Sequence, residues 1–438
     1  MSNNIRTRIA PSPTGWLHIG TARTALFNYL FTKQNKGQFI LRIEDTDKTR
    51  SKKEYEDNII EALSWLGLCY DEKYRQSERL DIYQKYLKKI IDTGQAYTSK
   101  EQATDGSGEV EVIRFKNPNQ KITFTDLIRG DITFDTTDLG DFVIAKDMST
   151  PLYHLAVVVD DYEMNITHVI RGEDHISNTP RQLLIAKAIG APTPIYAHIP
   201  LILAPDRSKL SKRHGAVAIT EYKNQGYTAE AMINFMALLG WSPQAGPHAT
   251  NEEIFNLNQL IKKFNLETVN NSGAIFNVEK LNWLNKEHLK LMPSLDLITE
   301  IKKHLPNITT LTPNQQTSLV NIILEKIYTW SDLTDLVAAG NFDYFFTPPV
   351  ITDKTKLKTR DYLEDTIKIL EDLDPNNFTA PEIKTALWDF ATAKGRGNVL
   401  WPLRYALTGQ DKSPDPFVVA EILGQTETIT RLKTANSL

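Results

Sequence analysis

The chain has 438 residues, enough for more than one domain, with 41% apolar and 24% charged residues and a formal net charge of −4. No apolar run is long enough to span a bilayer, no signal-peptide pattern opens the chain, and the single cysteine, Cys69, excludes an internal disulfide. These features predict a cytoplasmic protein without membrane contact, and the slightly acidic balance means that any nucleic-acid partner must meet a local basic surface.

Residues 1–94 read as alternating strand and helix. Ile5, Thr7 and Ile9 mark a strand over Arg6–Ala10, which runs into Pro11-Ser-Pro-Thr-Gly15 and then His18-Ile-Gly20. A helix follows over Thr21–Gln34, stopped at Gly37. Strand Phe39–Ile43 leads to helix Ser51–Leu66, and helix Leu80–Thr93 ends at Gly94. Strands alternating with helices predict a parallel, Rossmann-type sheet. Cys69, after the amphipathic Ile59–Leu66 stretch, is expected to fill the core.

Residues 95–150 change character. Gly106-Ser-Gly108 is a turn, and short β segments are expected at Val110–Phe115, Ile122–Phe124 and Ile132–Phe134, in a small α+β insertion that splits the sheet. The α/β pattern resumes at Leu152–Asp160, with helix Thr179–Ile189 and a strand near Ile199–Leu203, completing a second half over 151–205. A Pro205-Asp206 turn then precedes Lys209-Leu-Ser-Lys212-Arg213, and helices dominate the rest of 206–300. Residues 301–438 read as all-α: Leu319, Ile322, Ile323 and Ile327 mark one face, and Thr379-Ala-Pro-Glu382 reads as a capping box.

A strand turning through small residues into a helix start offers backbone N–H groups and a positive dipole to phosphate, and His18 and Gly20 stand at that turn. Alone, His-x-Gly is as consistent with a structural histidine beside a turn glycine, and Lys209–Arg213 with a solvated basic loop. Together the two motifs resemble the paired ATP signatures of class I aminoacyl-tRNA synthetases. Arg8–Gly15, Arg42-Ile-Glu-Asp-Thr-Asp47 and Val169-Ile-Arg171-Gly-Glu-Asp-His175 narrow the resemblance to glutamyl-tRNA synthetases, from about Ile5 to about Leu432.

The resemblance implies a two-step reaction. The α-carboxylate of glutamate attacks the α-phosphate of ATP, and a terminal ribose hydroxyl of tRNA(Glu) then attacks the glutamyl-adenylate. Such chemistry needs positioning and charge neutralisation rather than a protein nucleophile. The resemblance assigns His18, Lys209 and Lys212 to catalysis and His18, Gly20, Lys209, Ser211 and Lys212 to ATP, with Thr21 where relatives often carry a second histidine. Arg213 stays open between phosphate and solvent.

Glutamate has two carboxylates and an ammonium, so its pocket needs arginine and an acid. Arg8, Ser12, Glu44, Tyr153, Arg171 and His175 are the candidates. Read locally, Glu44–Asp47 is equally a capping cluster, and Arg171 an ion-pair partner of Glu173 or Asp174. The family's usual Asn stands as Val157 here and its usual Trp as His175.

Magnesium is expected with ATP, on phosphates and water. Residues 95–150 contain neither Cys nor His, so the zinc cluster that some relatives carry in this insertion is not expected. The insertion is assigned to the tRNA acceptor end, 206–300 to stem contact, 301–438 to the anticodon, and the molecule to a monomer. A glutaminyl enzyme is disfavoured by Arg8 and the helical C-terminal region, and a catalytically dead paralogue by the retained His18 and Lys212. Whether tRNA(Gln) is also glutamylated stays open.

Overall fold

Thr7, Arg8 and Ile9 are all buried, so the first strand is covered on both faces, as a parallel sheet flanked by helices requires. This computed structural model describes residues 4–102, 108–208, 210, 217–243, 252–357 and 361–438. The chain divides into two compact units, Met1–Asn285 and Lys286–Leu438.

In the first unit β1 (Arg6–Ile9) leads to α1 (Ile19–Gln34), β2 (Gln38–Ile43), α2 (Lys53–Trp65), β3 (Glu72–Arg75) and α3 (Leu80–Asp92). The three strands pair in parallel in the order β1-β2-β3. On β2, Phe39, Leu41 and Ile43 turn toward α1, packing on Leu26, Phe27 and Leu30, while Ile40 joins Phe124, Val169 and Tyr196 in a separate cluster. Each fully buried leucine or phenylalanine contributes about 1.5–3 kcal/mol.

The insertion follows as β4 (Ala96–Gln102), β5 (Glu109–Phe115), β6 (Lys121–Asp126), β7 (Gly130–Asp135), β8 (Phe142–Asp147) and β9 (Thr150–Pro151). Its described residues form strands and one 3-10 turn (Thr136–Leu139) with no α-helix, so the expected α+β character is corrected to β. Sequence reading missed β3 and β4, whose exposed faces lack a strong apolar alternation.

The sheet resumes through α4 (Tyr153–Glu163), β10 (His168–Gly172), α5 (Thr179–Ile189) and β11 (Ile195–Ile199). Thr167 N donates to Arg6 O at 3.0 Å, which sets β10 beside β1. β10 pairs in parallel with β11, and β6 of the insertion joins β11's other edge at Asp126↔Tyr196. Strand β1 therefore has β2 on one side and β10 on the other. In such sheets ligands bind at this reversal, beyond the carboxyl ends of the strands.

After a short strand pairing (Ile202–Leu203 with Ala274–Ile275), α6 (Ile219–Asn224), α7 (Ala229–Leu238) and α8 (Leu257–Lys263) complete the core, and α9 (Val278–Lys290) contains the division between units. Cys69 is exposed, which corrects the core assignment; Leu68 takes the buried place beside it.

The second unit consists of α10 (Ser294–His304), α11 (Pro313–Lys326), α12 (Trp330–Ala338), α13 (Asp361–Glu371), α14 (Ala380–Lys394), α15 (Arg396–Thr408) and α16 (Pro416–Asn436), with short 3-10 turns between them. The sequence-based boundary at 300/301 falls inside α10. Leu319, Ile323 and Ile327 meet Leu363, Ile367, Leu387 and Ile422 in one core. The capping box at Thr379 does not form: its side chain makes no cap bond, and Glu421 accepts from Ala380 N at 2.6 Å instead.

Candidate active site

The turn after β1 is pinned to the exit of β2. Glu44 N donates to Pro11 O at 3.0 Å and Lys52 N to Pro13 O at 2.9 Å. Ser12 lies exposed on this turn. His18 caps α1: its Nδ1 accepts from Gly20 N at 3.2 Å and its Nε2 lies 3.2 Å from Thr21 Oγ1. An accepting Nδ1 places the ring proton on Nε2. A Cβ at Gly20 would stand 3.2 Å from Cε1 and Nδ1 of that ring, so glycine lets the imidazole lie across the helix start. The first turn of α1 carries no acidic residue, which leaves its positive end uncompensated by side chains of its own.

Lys209, Ser211 and Lys212 lie outside the described residues, and so does Arg213. Both flanks of their segment are described. Leu210 N donates to Ile202 O at 3.2 Å. Ala218 forms an antiparallel bridge with His18, and Ile219 N donates to Leu17 O at 2.9 Å. The segment thus returns to the histidine turn.

Beyond the carboxyl ends of β1, β2 and β10 lies a buried charged cluster. Arg8 donates to Asp161 from Nε (3.0 Å) and Nη2 (3.3 Å). Arg42 donates to the same carboxylate from Nη1 (2.6 Å) and to Glu44 Oε1 from Nη2 (3.0 Å). Among the described residues Nη1 of Arg8 has no hydrogen-bond partner, and in a residue only 4% exposed this atom is not fully buried, so it faces open space. Burial works to raise the Asp161 carboxyl, but Arg8 and Arg42 together hold it below the usual carboxylate range. Burial raises Glu44, against the opposing pull of Arg42 and Arg8.

Asp160 beside it accepts from Arg79 Nε (2.7 Å), Gln76 Nε2 (2.9 Å) and Tyr83 OH (2.8 Å), and so ties α3 and α4 together beneath the cluster. Glu44 is not a helix cap. Asp47 makes the local turn by accepting from Thr49 and Arg50, and Asp45 accepts from Ser77.

Tyr153, at the start of α4, donates from its hydroxyl to His175 Nδ1 at 3.1 Å, and Asn178 Nδ2 donates to the same nitrogen at 3.2 Å. Burial, with the nearby Arg171 charge, pushes His175 down to about 4, so its imidazole is neutral near pH 7. Burial raises the Tyr153 phenol, and the Glu44 charge adds to the effect.

Arg171 is 6% exposed. It donates to His198 Nε2 (3.1 Å), Gln182 Oε1 (2.7 Å) and Thr179 Oγ1 (2.9 Å). It pairs with neither Glu173 nor Asp174. Glu173 instead holds Arg129 and accepts from Leu201 N at 2.7 Å. Val157 is buried in α4.

The structure thus brings Arg8, Glu44, Tyr153, Arg171 and His175 together, with His18 and Gly20 on the turn that leaves β1. Arg42, Asp160, Asp161, His198 and Asp126 were not expected in the cluster. Arg42, Asp160 and Asp161 carried a signal as charges interrupting or ending apolar runs (Phe39–Ile43 and Val157–Val159), whereas Asp126 and His198 lie in neither run.

Two family models account for nearly the whole chain. One, described as tRNA synthetases class I (E and Q), catalytic domain, matches residues 4–105 and 99–283; an anticodon binding domain matches 285–436. A glutamate–tRNA ligase from Thermodesulfovibrio yellowstonii is 40% identical over 466 aligned residues, covering 98% of both chains. The chain belongs to the glutamate–tRNA ligase family of class I aminoacyl-tRNA synthetases. A relative of that name from Aquifex aeolicus is 48% identical over 332 aligned residues, covering 68% of this chain and 69% of the relative. A crystal structure of a glutamate tRNA ligase from Elizabethkingia meningosepticum, in complex with its amino acid, superposes with a TM-score of 0.87 at 33% identity over 99% of both chains.

Proposed function

We propose that the charged cluster at the sheet reversal is where L-glutamate is activated by ATP before transfer to the 3′-terminal adenosine of tRNA(Glu). The observation that carries this reading is the buried Arg8, whose Nη1 has no described partner, beside Glu44, Tyr153 and Arg171, whose hydrogen bonds among the described residues all go to neutral groups. A carboxylate on Arg8 satisfies an otherwise unused donor, and Glu44 offers a negative group to the ammonium. Arg171 adds positive potential from below, and neutral His175 orients Tyr153. Ser12 supplies a small donor from the turn.

ATP lies across the turn at His18 and Gly20. The His18 Nε2–H donates to a phosphate oxygen, and the start of α1 adds its backbone N–H groups. Lys209, Ser211 and Lys212, on the segment that returns to His18 at Ala218, supply charge as it grows on the phosphates. In the first step a glutamate α-carboxylate oxygen bonds to the α-phosphorus and pyrophosphate leaves. In the second a ribose hydroxyl oxygen bonds to the glutamyl carbonyl, loses its proton, and AMP leaves. No side chain forms a covalent intermediate.

Magnesium accompanies the nucleotide. The described residues contain no group of three or more His, Cys, Asp and Glu side chains able to hold a metal, and its ligands would be phosphate oxygens and water. The insertion over 95–150 is assigned to the acceptor end, residues 206–300 to the stem and residues 301–438 to the anticodon. No described helix is long and apolar enough to cross a membrane. The working form is a cytoplasmic monomer.

Charging assays with purified tRNA(Glu) and tRNA(Gln), each with glutamate and with glutamine, test the reading. It expects glutamate on tRNA(Glu). Esterification of glutamine in its place would overturn the pocket assignment, and glutamate on both tRNAs would mark a non-discriminating enzyme with the same pocket.

A further inference from the structure

Three strands place one polar line across the sheet. Asp126 ends β6, His198 lies in β11, and Arg171 faces it from β10 in register. Asp126 Oδ2 is 2.7 Å from His198 Nδ1, and Arg171 Nε donates to His198 Nε2 at 3.1 Å. Asp126 is 1% exposed and His198 0% exposed.

An arginine Nε–H can only donate, so His198 Nε2 carries a lone pair and its ring proton sits on Nδ1, aimed at Asp126. Burial lowers the His198 imidazole, in keeping with a neutral ring. Asp126 is itself fixed: Oδ1 accepts from Ile128 N and Arg129 N, both at 3.0 Å, and Oδ2 from His198 N at 2.9 Å. Arg129, on the same β6–β7 turn, donates to His198 O at 3.1 Å and pairs with Glu173. This stapled turn belongs to the insertion, whereas Arg171 lies beneath Tyr153 and His175.

We infer that His198, held in one tautomer by Asp126, is a positioning residue that fixes the Arg171 guanidinium under the amino-acid pocket and links the insertion's β6–β7 turn to amino-acid selection. The inference rests on the reading of Arg171 as a pocket residue. Asp126→Asn gives the sharpest test. The asparagine oxygen keeps the Ile128 and Arg129 N–H groups, and its NH2 then faces both the His198 backbone N–H and Nδ1. That drives the ring proton to Nε2, where it opposes the Arg171 Nε–H. His198→Phe keeps the ring against Tyr196 and removes both bonds.

Steady-state charging of tRNA(Glu) is measured for Asp126→Asn, His198→Phe, the double variant and Arg171→Lys, each with its melting temperature. The expected result is a rise of about tenfold or more in the KM for glutamate in every variant, a KM for ATP within about twofold of the parent, and a double variant no worse than His198→Phe alone. Unchanged glutamate KM in Asp126→Asn and His198→Phe, with a raised value in Arg171→Lys, would overturn the relay and spare the pocket. Unchanged glutamate KM in Arg171→Lys would overturn the pocket reading beneath it. Should the variants fail to fold, 15N-histidine spectra of the parent decide. The relay requires a neutral Nδ1–H tautomer at His198 near pH 7; an Nε2–H tautomer or an imidazolium contradicts it.

Discussion

Asp161→Asn isolates the charge balance on which the pocket depends. Asp161 is the only carboxylate, among the described residues, that bonds both Arg8 and Arg42, with contacts of 3.0, 3.3 and 2.6 Å. The two guanidiniums are 5% and 0% exposed at their side chains, so water cannot take its place. Asparagine keeps the shape, removes the charge, and turns an NH2 toward groups that only donate. Breaking a buried ion pair from one side costs about 3–5 kcal/mol.

For a unit ending at Asn285, the entropy of unfolding is about 0.6 kcal/mol per kelvin at the usual value per residue. The expected fall in melting temperature is therefore about 5–8 °C. Because the arginines hold Asp161 below its ordinary value, the unfolded chain binds more protons than the folded one in acid. The parent's stabilisation from this group is complete above about pH 4–5 and is lost as pH falls through the folded value. The variant lacks that acid-dependent loss. Calorimetry at pH 7 and at several acid values reads both effects, and glutamate KM reads the freed Arg8. A melting temperature within about 2 °C of the parent, with unchanged acid dependence, would refute the reasoning.

Gly20→Ala places a Cβ against the His18 ring, and the loss of one hydrogen bond to a charged phosphate, about 1.5–3 kcal/mol, should raise the KM for ATP about tenfold or more without moving the glutamate KM. Equal shifts in both constants would contradict the assignment. Lys212→Ala should lower kcat by about 10²–10³-fold with little change in ATP affinity, as expected for charge used mainly in the transition state; single-turnover pyrophosphate release checks it, and an unchanged rate refutes it. His154 and His175 are both lowered to about 4, chiefly by burial. Each is neutral when folded and protonates on unfolding below about pH 6.5, so stability falls with pH from 6.5 toward 4 by about 1.4 kcal/mol per pH unit per histidine at most. His154→Phe and His175→Phe should each remove about one proton from that slope in denaturant titrations, and an unaltered slope would show that the ring is not neutral.

Much of the catalytic unit was legible because its elements are punctuated locally. Gly37, Gly67 and Gly94 follow the helices, and β1 and β2 read as strands from their own residues. Arg8, Glu44, Tyr153, Arg171 and His175 could be named from the sequence because they sit in or beside short motifs at strand and helix ends, and the structure brings them into one cluster. Their partners were not found, because a buried charge announces that it needs a counter-charge without saying which. Asp161 is 153 positions from Arg8 and 119 from Arg42, and Asp126 is 72 from His198. Only the closed sheet brings them together.

The same reason explains two corrections. Thr379 forms no cap bond, and Glu421, 41 positions from Ala380, serves the helix start instead. Cys69 follows the helix's apolar stripe in sequence, but the chain turns at Gly67 (φ 68°) and buries Leu68 rather than its neighbour.

The most direct test of the pocket is a crystal structure with a non-hydrolysable glutamyl-adenylate analogue. The side-chain carboxylate is expected within hydrogen-bond range of Arg8, the ammonium against Glu44, and the phosphate mimic on His18 and the start of α1. An analogue bound with its glutamyl end away from Arg8 and Glu44, or with its phosphate mimic out of reach of His18, would contradict the account.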